Sequence, residues 1–316
     1  MASTSALAPV KPRYVSYVSH LRQTFGCRVH KVSIDAGFTC PNRDGSVTTG
    51  GCIYCNNTSF SPANRRLSIT EQVEKGVAFL RRRYGAEKFI AYFQAYTNTY
   101  ADIAHLQNLY DEALACDDIV GLAIGTRPDC VPDTVLDLLA SYASHTYLWL
   151  ELGLESGHDQ TLALINRGHN VAAFDDAVSR ARLRNLNLCA HVILGLPGET
   201  PDDMRATVRH LADLRLDAIK LHHLHIVRQT VLEKMYRQDK IDLLSLDAYA
   251  SLVADCLELL PPDTIIMRLM GDAPHDMLVA PTWSQDKRAA LNRIEQELER
   301  RDVYQGSAYI RPLRPN

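Results

Sequence analysis

"IVGLAIGTRPDCVPDTVLDLLASYA", residues 119–143, reads as one strand, one turn and one helix. Its first seven residues are almost entirely apolar and show no polar alternation. A strand covered on both faces, as in a parallel sheet, looks like that. "TRPDC" breaks the run, and Pro132 suits the first turn of the helix that follows.

The same unit recurs along the chain. Strands are expected at 30–36, 88–94, 146–154, 188–196 and 217–227, besides 119–125. Amphipathic helices are expected at 69–85, 102–116, 132–143, 171–185, 200–214 and 244–260. The helix from 200 carries its own start signal. Thr200 is the N-cap, Pro201 takes the first position and Asp203 the third. Leu246, Tyr249, Val253, Leu257 and Leu260 repeat at helical spacing in the last of these helices.

Strand–helix units in series imply parallel strands with right-handed crossovers. An open doubly wound sheet and a barrel both fit that order. Six units stop short of an eightfold barrel, which favours an α/β fold of partial (β/α)6 barrel type over 12–262. A C-terminal α/β extension over 263–316 then packs on it as a cap, with a strand at 264–270 and a charged helix at 284–302. In either architecture chemistry gathers where strands end and loops lead into helices.

Composition narrows the class. The chain has 316 residues, 46% of them hydrophobic, and a formal net charge of −3. It therefore has no global basic field of the kind that drives nonspecific nucleic-acid binding. Arg65-Arg66 and Arg81-Arg82-Arg83 read first as solvated helix faces and second as a local RNA contact. "MASTSALAPVKPRY" has no secretory pattern, and no apolar run is long enough to span a bilayer. The expectation is a cytoplasmic protein with no membrane partner, in which eight cysteines stay reduced.

Three of those cysteines gather in "CPNRDGSVTTGGCIYC", residues 40–55, inside a loop (38–56) at the end of the first strand. Unrelated thiols are one reading. A zinc site is another, although structural zinc closes with four ligands and no second C-x-x-C pair exists here. A [4Fe–4S] cluster on Cys40, Cys52 and Cys55 is the third. It would leave one iron open to a cofactor, in a loop whose Gly45, Gly50 and Gly51 permit close wrapping.

Tyr54 stands just before the last cysteine, and in that trait the loop resembles the radical S-adenosylmethionine (SAM) superfamily. The usual spacing there is C-x3-C-x2-C, whereas this chain has C-x11-C-x2-C. A stretched first gap is similar to the branch that contains the catalytic subunit of Elongator, which modifies tRNA wobble uridines. "LELGLESGHDQTLALINRGHNVAA" (150–173) resembles the same branch. "GTRPD" (125–129) and "AHVILGLPGET" (190–200) match strand ends of the superfamily. "FQAYTNTY" (93–100) and the segment 271–301 are similar to the bacterial YhcC-like (YtqA-type) family. The likeness runs from about residue 12 to 306, without the acetyltransferase-type domain of Elongator.

The resemblance implies a [4Fe–4S] cluster, SAM, and a reductant such as flavodoxin or ferredoxin. It implies reductive cleavage of SAM to a 5′-deoxyadenosyl radical, which takes hydrogen from a substrate. It also implies roles for single residues. Arg167 matches the arginine that pairs with the SAM carboxylate in relatives such as oxygen-independent coproporphyrinogen oxidase. Glu155 and His191 fall where relatives contact ribose. Tyr54 falls near the adenine, and Gly195 belongs to the loop that shapes its site. Gln94 and Ala95 fall where backbone meets the methionine amino group, although relatives carry glycine there. Beside the resemblance, on a strand Lys220 and His222 would share one face and His223 and His225 the other. Lys220, His223, His225 and Cys130 are the candidates for contact with substrate or for donation of hydrogen. tRNA is the first expected substrate and a small or porphyrin-type molecule the second. A regulatory iron–sulfur protein that does no chemistry is the reading from another class.

Overall fold

The computed structural model describes residues 12–57 and 67–311. The Arg65-Arg66 cluster and the first eleven residues lie outside the described residues. The chain opens with α1 (Tyr17–Phe25) and β1 (Val29–Ile34), then the short α2 (Pro41–Asp44) and α3 (Ile69–Tyr84). β2 (Lys88–Phe93), α4 (Ile103–Leu114), β3 (Ile119–Thr126), α5 (Asp133–Ala143) and β4 (Tyr147–Glu155) continue the alternation. Next come α6 (Asp159–Leu164), α7 (Val171–Arg182), β5 (Asn187–Leu194), α8 (Pro201–Leu214) and β6 (Ala218–His223). β7 (Ile226–Val227), α9 (Val231–Tyr236) and α10 (Leu246–Leu259) lead to β8 (Ile265–Arg268), β9 (Leu278–Ala280) and α11 (Lys287–Arg301).

The main sheet has seven strands in the order β1-β2-β3-β4-β5-β6-β8. Every neighbouring pair is parallel, so the helices cross over outside a curled half-barrel. The segment after residue 262 thus adds a seventh strand to the six read from sequence. Its helix α11 then packs against α10, burying Ile294 and Leu298.

Strand parity sorts the side chains. Phe93, Ile124, Leu150, Leu152 and Val192 point outward into the layer of helices and form the main core. Ile90, Tyr92, Ala123, Trp149 and Cys189 point inward and fill the N-terminal end of the lumen. The space toward the C-terminal ends is left for chemistry.

The expected start of α8 is borne out. Asp203 N–H donates to Thr200 Oγ1 at 3.3 Å, and Asp203 Oδ2 accepts from Thr200 N–H at 2.8 Å. The sixth strand is shorter than the run 217–227 suggested. Leu224 N–H still donates to Leu194 O at 2.8 Å, but the chain then leaves the sheet. Ile226 and Val227 pair antiparallel with β9, and Ile226 is buried among Ile53, Leu196 and Leu232 in a separate apolar cluster. Burial of that cluster outweighs the continuous β pattern of the sequence.

Candidate active site

The cysteine loop is tied to the segment that follows β4. Cys40 caps α2, which places Asn42 in a fully buried position. Asn42 Nδ2 donates to Arg167 O at 2.6 Å and Asn166 O at 2.8 Å, and lies 3.5 Å from Cys52 Sγ. In return Asn166 Nδ2 donates to Gly51 O at 2.8 Å. Ile53 N–H donates to Ile165 O at 3.0 Å. Gly168 (φ +76°) lets the two segments meet, since a Cβ there would lie 2.3 Å from Asn42 Oδ1.

Cys40, Cys52 and Cys55 are unbonded thiols on the wall of one cavity of about 690 Å³. Cys55 N–H donates to Cys52 O at 3.0 Å, a turn that presents Tyr54 to the same space. Asn57 Nδ2 lies 3.4 Å from Cys55 Sγ and Arg167 Nη1 lies 3.8 Å from Cys52 Sγ. Both are donors aimed at sulfur, as a thiolate ligand needs. Burial pushes the Cys55 thiol up to about 11, so a bound cation would have to draw its proton off. Among the described residues, no three His, Cys, Asp or Glu side chains converge on one point as ligands of a single metal ion. The three thiols border the cavity instead.

Beside the thiols, β4 ends on Glu155 with φ +72°. The pairing with β5 slips between Gly153 and Glu155, and the Glu155 side chain lines the cavity. Glu155 Oε1 lies 3.3 Å from Arg167 Nη2, which also donates to Gly153 O at 2.7 Å. Arg167 is buried, and its Nε has no partner among the described residues. Arg127 Nη1 donates to Arg167 O at 2.7 Å while holding Asp129 with its other two nitrogens. Burial raises the Glu155 carboxyl, and Arg167 opposes that rise.

Below lies a buried ionic network. Glu151 on β4 is four residues before Glu155 and faces the same lumen. It contacts the ammonium groups of Lys31 and Lys220, and His191 Nε2 lies 2.8 Å from its Oε2. Lys220 Nζ also donates to Tyr92 Oη at 3.0 Å. Burial lowers His191 to about 4, so the ring is neutral at physiological pH. The sequence reading missed Glu151. The signal was there: an acidic residue in the middle of the apolar strand "TYLWLELGL".

Tyr54, Gln94, Glu155, Arg167, His191, Lys220, His223 and His225 all border the cavity. Ala95, Gly195 and Cys130 do not border it. Ala95 is 1% exposed and packs away from the lumen. Gly195 (φ +92°) faces Leu244, with its N–H toward Met204 Sδ at 3.1 Å. Cys130 is buried behind Arg127, where burial and Asp129 push its thiol up to about 12. Lys220 and His222 share the lumen, as read from strand parity. His223 lies against Trp283, ring centroids 4.6 Å apart, and reaches the cavity only because β6 stops there.

Comparisons with known proteins bear on the family and the fold. The family model for the Radical SAM superfamily matches residues 42–211, and that for the Radical_SAM C-terminal domain matches 216–300. The uncharacterized protein YtqA of Bacillus subtilis is 42% identical over 301 residues, covering 95% of this chain and 94% of that one. Protein YhcC of Escherichia coli is 40% identical over 297 residues, covering 93% and 95%. Elongator complex protein 3 of Saccharomyces cerevisiae is 27% identical over 164 residues, 51% of this chain and 29% of that one. The solved structure of archaeal Methanocaldococcus infernus Elp3 superposes with a TM-score of 0.68 at 15% identity, covering 88% and 64%, and so shares the fold. By its half-barrel, both family models and relatives of nearly its own length, the chain is an enzyme of the radical SAM superfamily, in the group that holds YtqA and YhcC.

Proposed function

We propose that Cys40, Cys52 and Cys55 hold a [4Fe–4S] cluster and that the cavity beside them binds SAM for reductive cleavage. Bound together, the two groups supply a 5′-deoxyadenosyl radical for hydrogen abstraction from a substrate C–H bond. The observation that carries this reading is the convergence of three free thiols with the Arg167–Glu155 pair on one cavity. Arg167 would pair with the methionine carboxylate, using the Nε that has no partner among the described residues. Glu155 would accept from ribose hydroxyls, and Tyr54 would offer its ring to the adenine. With its Nε2–H on Glu151, His191 keeps Nδ1 as an acceptor. The walls exclude water from the reacting atoms.

The enzyme acts in the cytoplasm with a reductant of the flavodoxin or ferredoxin kind. For the substrate, a tRNA wobble uridine comes first. A relative in Dehalococcoides mccartyi named tRNA uridine(34) acetyltransferase is 29% identical over 158 residues, 49% of this chain and 34% of that one.

Anaerobically reconstituted enzyme with dithionite and SAM should release 5′-deoxyadenosine, and Cys52→Ala should abolish both release and the brown chromophore. An intact chromophore without release would favour a regulatory protein. Mass spectrometry of tRNA nucleosides from a deletion strain should show an altered wobble uridine. An unchanged profile would shift the substrate to a small molecule.

A further inference from the structure

We infer that the substrate carries an anionic group, phosphate or carboxylate, and that Arg268, Lys220 and His222 receive it deep in the barrel. Calling this ligand the substrate rests on the radical chemistry proposed above, whereas the anion site itself is built by residues of this chain.

The site begins with a register slip. Ile219 pairs with Ile266, but the next residue, Lys220, pairs with Arg268, so Met267 is skipped. An extra residue of this kind re-aims the side chain after it. Lys220 faces the lumen, and so its partner Arg268 is turned to the lumen as well. Lys31, Lys220 and Arg268 then share one cavity wall, and the pull of Glu151 is divided between the two lysines.

Arg268 has little else to bind. Its guanidinium makes no hydrogen bond among the described residues. Asp272, 3.9 Å away, is already engaged by Lys287 at 2.6 Å. His222 Nε2 is buried without a partner among the described residues, and the ring lies 5.5 Å from that of His191. The loop after β8 closes over this corner. A Cβ at Gly271 would lie 3.0 Å from His225 Cε1 and 3.4 Å from His222 Nδ1. The crowding of positive charge shows in Lys31, lowered to about 8 by burial and, against the pull of Glu151, by Lys220.

Unpaired donors and surplus cations in an enclosed wall call for an acceptor-rich, negatively charged ligand. Phosphate and carboxylate both supply it. The fork of Arg268 suits two parallel hydrogen bonds to either.

Calorimetric titration of the full-length enzyme with sodium phosphate and, separately, sodium acetate tests this at constant ionic strength. One saturable site is expected for at least one anion, at about millimolar strength. Tighter phosphate binding assigns a phosphate-bearing substrate, and tighter acetate binding a carboxylate. Arg268→Gln should weaken binding about tenfold or more, and Arg268→Lys, which keeps the charge but loses the fork, should weaken it by less. Arg82→Gln, on the exposed face of α3, should leave it unchanged. If Arg268→Gln does not fold, His222→Leu gives the same reading. No saturable binding of either anion, or undiminished binding in Arg268→Gln and His222→Leu, overturns the inference. Cys52→Ala should bind the anion as wild type does. Failure of cluster chemistry with anion binding intact would therefore count against the proposed function alone.

Discussion

Glu151 has no exposed side-chain surface, yet it sits in the ionised network at the heart of the barrel. Burial alone would raise its carboxyl, but Lys220 and Lys31 together hold it well below the usual carboxylate range. Glu151→Ala leaves two ammonium groups enclosed and unpaired, which should cost about 3–5 kcal/mol in urea denaturation. Adding Lys220→Met should recover part of that loss. A loss under about 1 kcal/mol would mean that water already reaches the lysines. The histidines set a pH window. Burial lowers His191 to about 4 and His223 to about 3, from an ordinary 6.5. Below pH 6.5 the unfolded chain takes up protons that the folded state refuses. Stability is thus full above 6.5 and falls toward pH 4, by about 1.4 kcal/mol per pH unit for each histidine. Neither His223 ring nitrogen has a partner among the described residues. His223→Phe should therefore flatten the slope by about one proton, at little cost near pH 7. An unchanged slope in chemical denaturation across pH 4–7 would reject this account of His223.

At the scale of elements, β4 shows what a sequence makes readable. Its apolar run and the turn after it mark a buried strand, because burial on both faces leaves no polar alternation. The three thiols stand out in the sequence by their spacing, while Arg167 and Glu155 are legible only through resemblance; the meeting of all five depends on a loop fastened by Asn42 and Asn166. Glu151 was passed over as strand interior. β6 was drawn too long because "LHIV" continues a β pattern while the chain turns away to cover Ile53. The four-residue α2 has no periodicity to read. The end of β4 also carries a prediction. A methyl group at Gly153 would lie 2.4 Å from Arg167 Nη2 and 2.6 Å from Glu155 Oε1. Gly153→Ala must push the pair apart, while the strand itself tolerates alanine. SAM affinity by equilibrium dialysis should drop about tenfold or more, with the melting temperature within a few degrees of wild type. Unaltered affinity would remove the pair from the SAM site.

At the scale of the whole molecule, the half-barrel is closed by residues nearly three hundred positions apart, which no local pattern reveals. Ile266 N–H donates to Val15 O at 2.8 Å, so the N-terminal segment covers the free edge of β8. Gln305 fixes that arrangement. Its Oε1 accepts from Val15 N–H at 2.9 Å, and its Nε2 donates to Pro261 O at 2.6 Å and Thr264 O at 2.7 Å. One buried amide thus ties both ends of the chain to the strand that carries Arg268. Gln305→Ala strands one donor and two acceptors, a loss of about 2–4 kcal/mol in global stability. Gln305→Glu should be worse, because a carboxylate would face two carbonyl oxygens. The edge of β8 would open first, so hydrogen exchange at the Ile266 amide should quicken before that of β3 or β4. Since β8 aims Arg268 into the cavity, both variants should also weaken anion binding without touching the thiols. Protection at Ile266 equal to wild type in Gln305→Ala would show that the sheet closes without this tether.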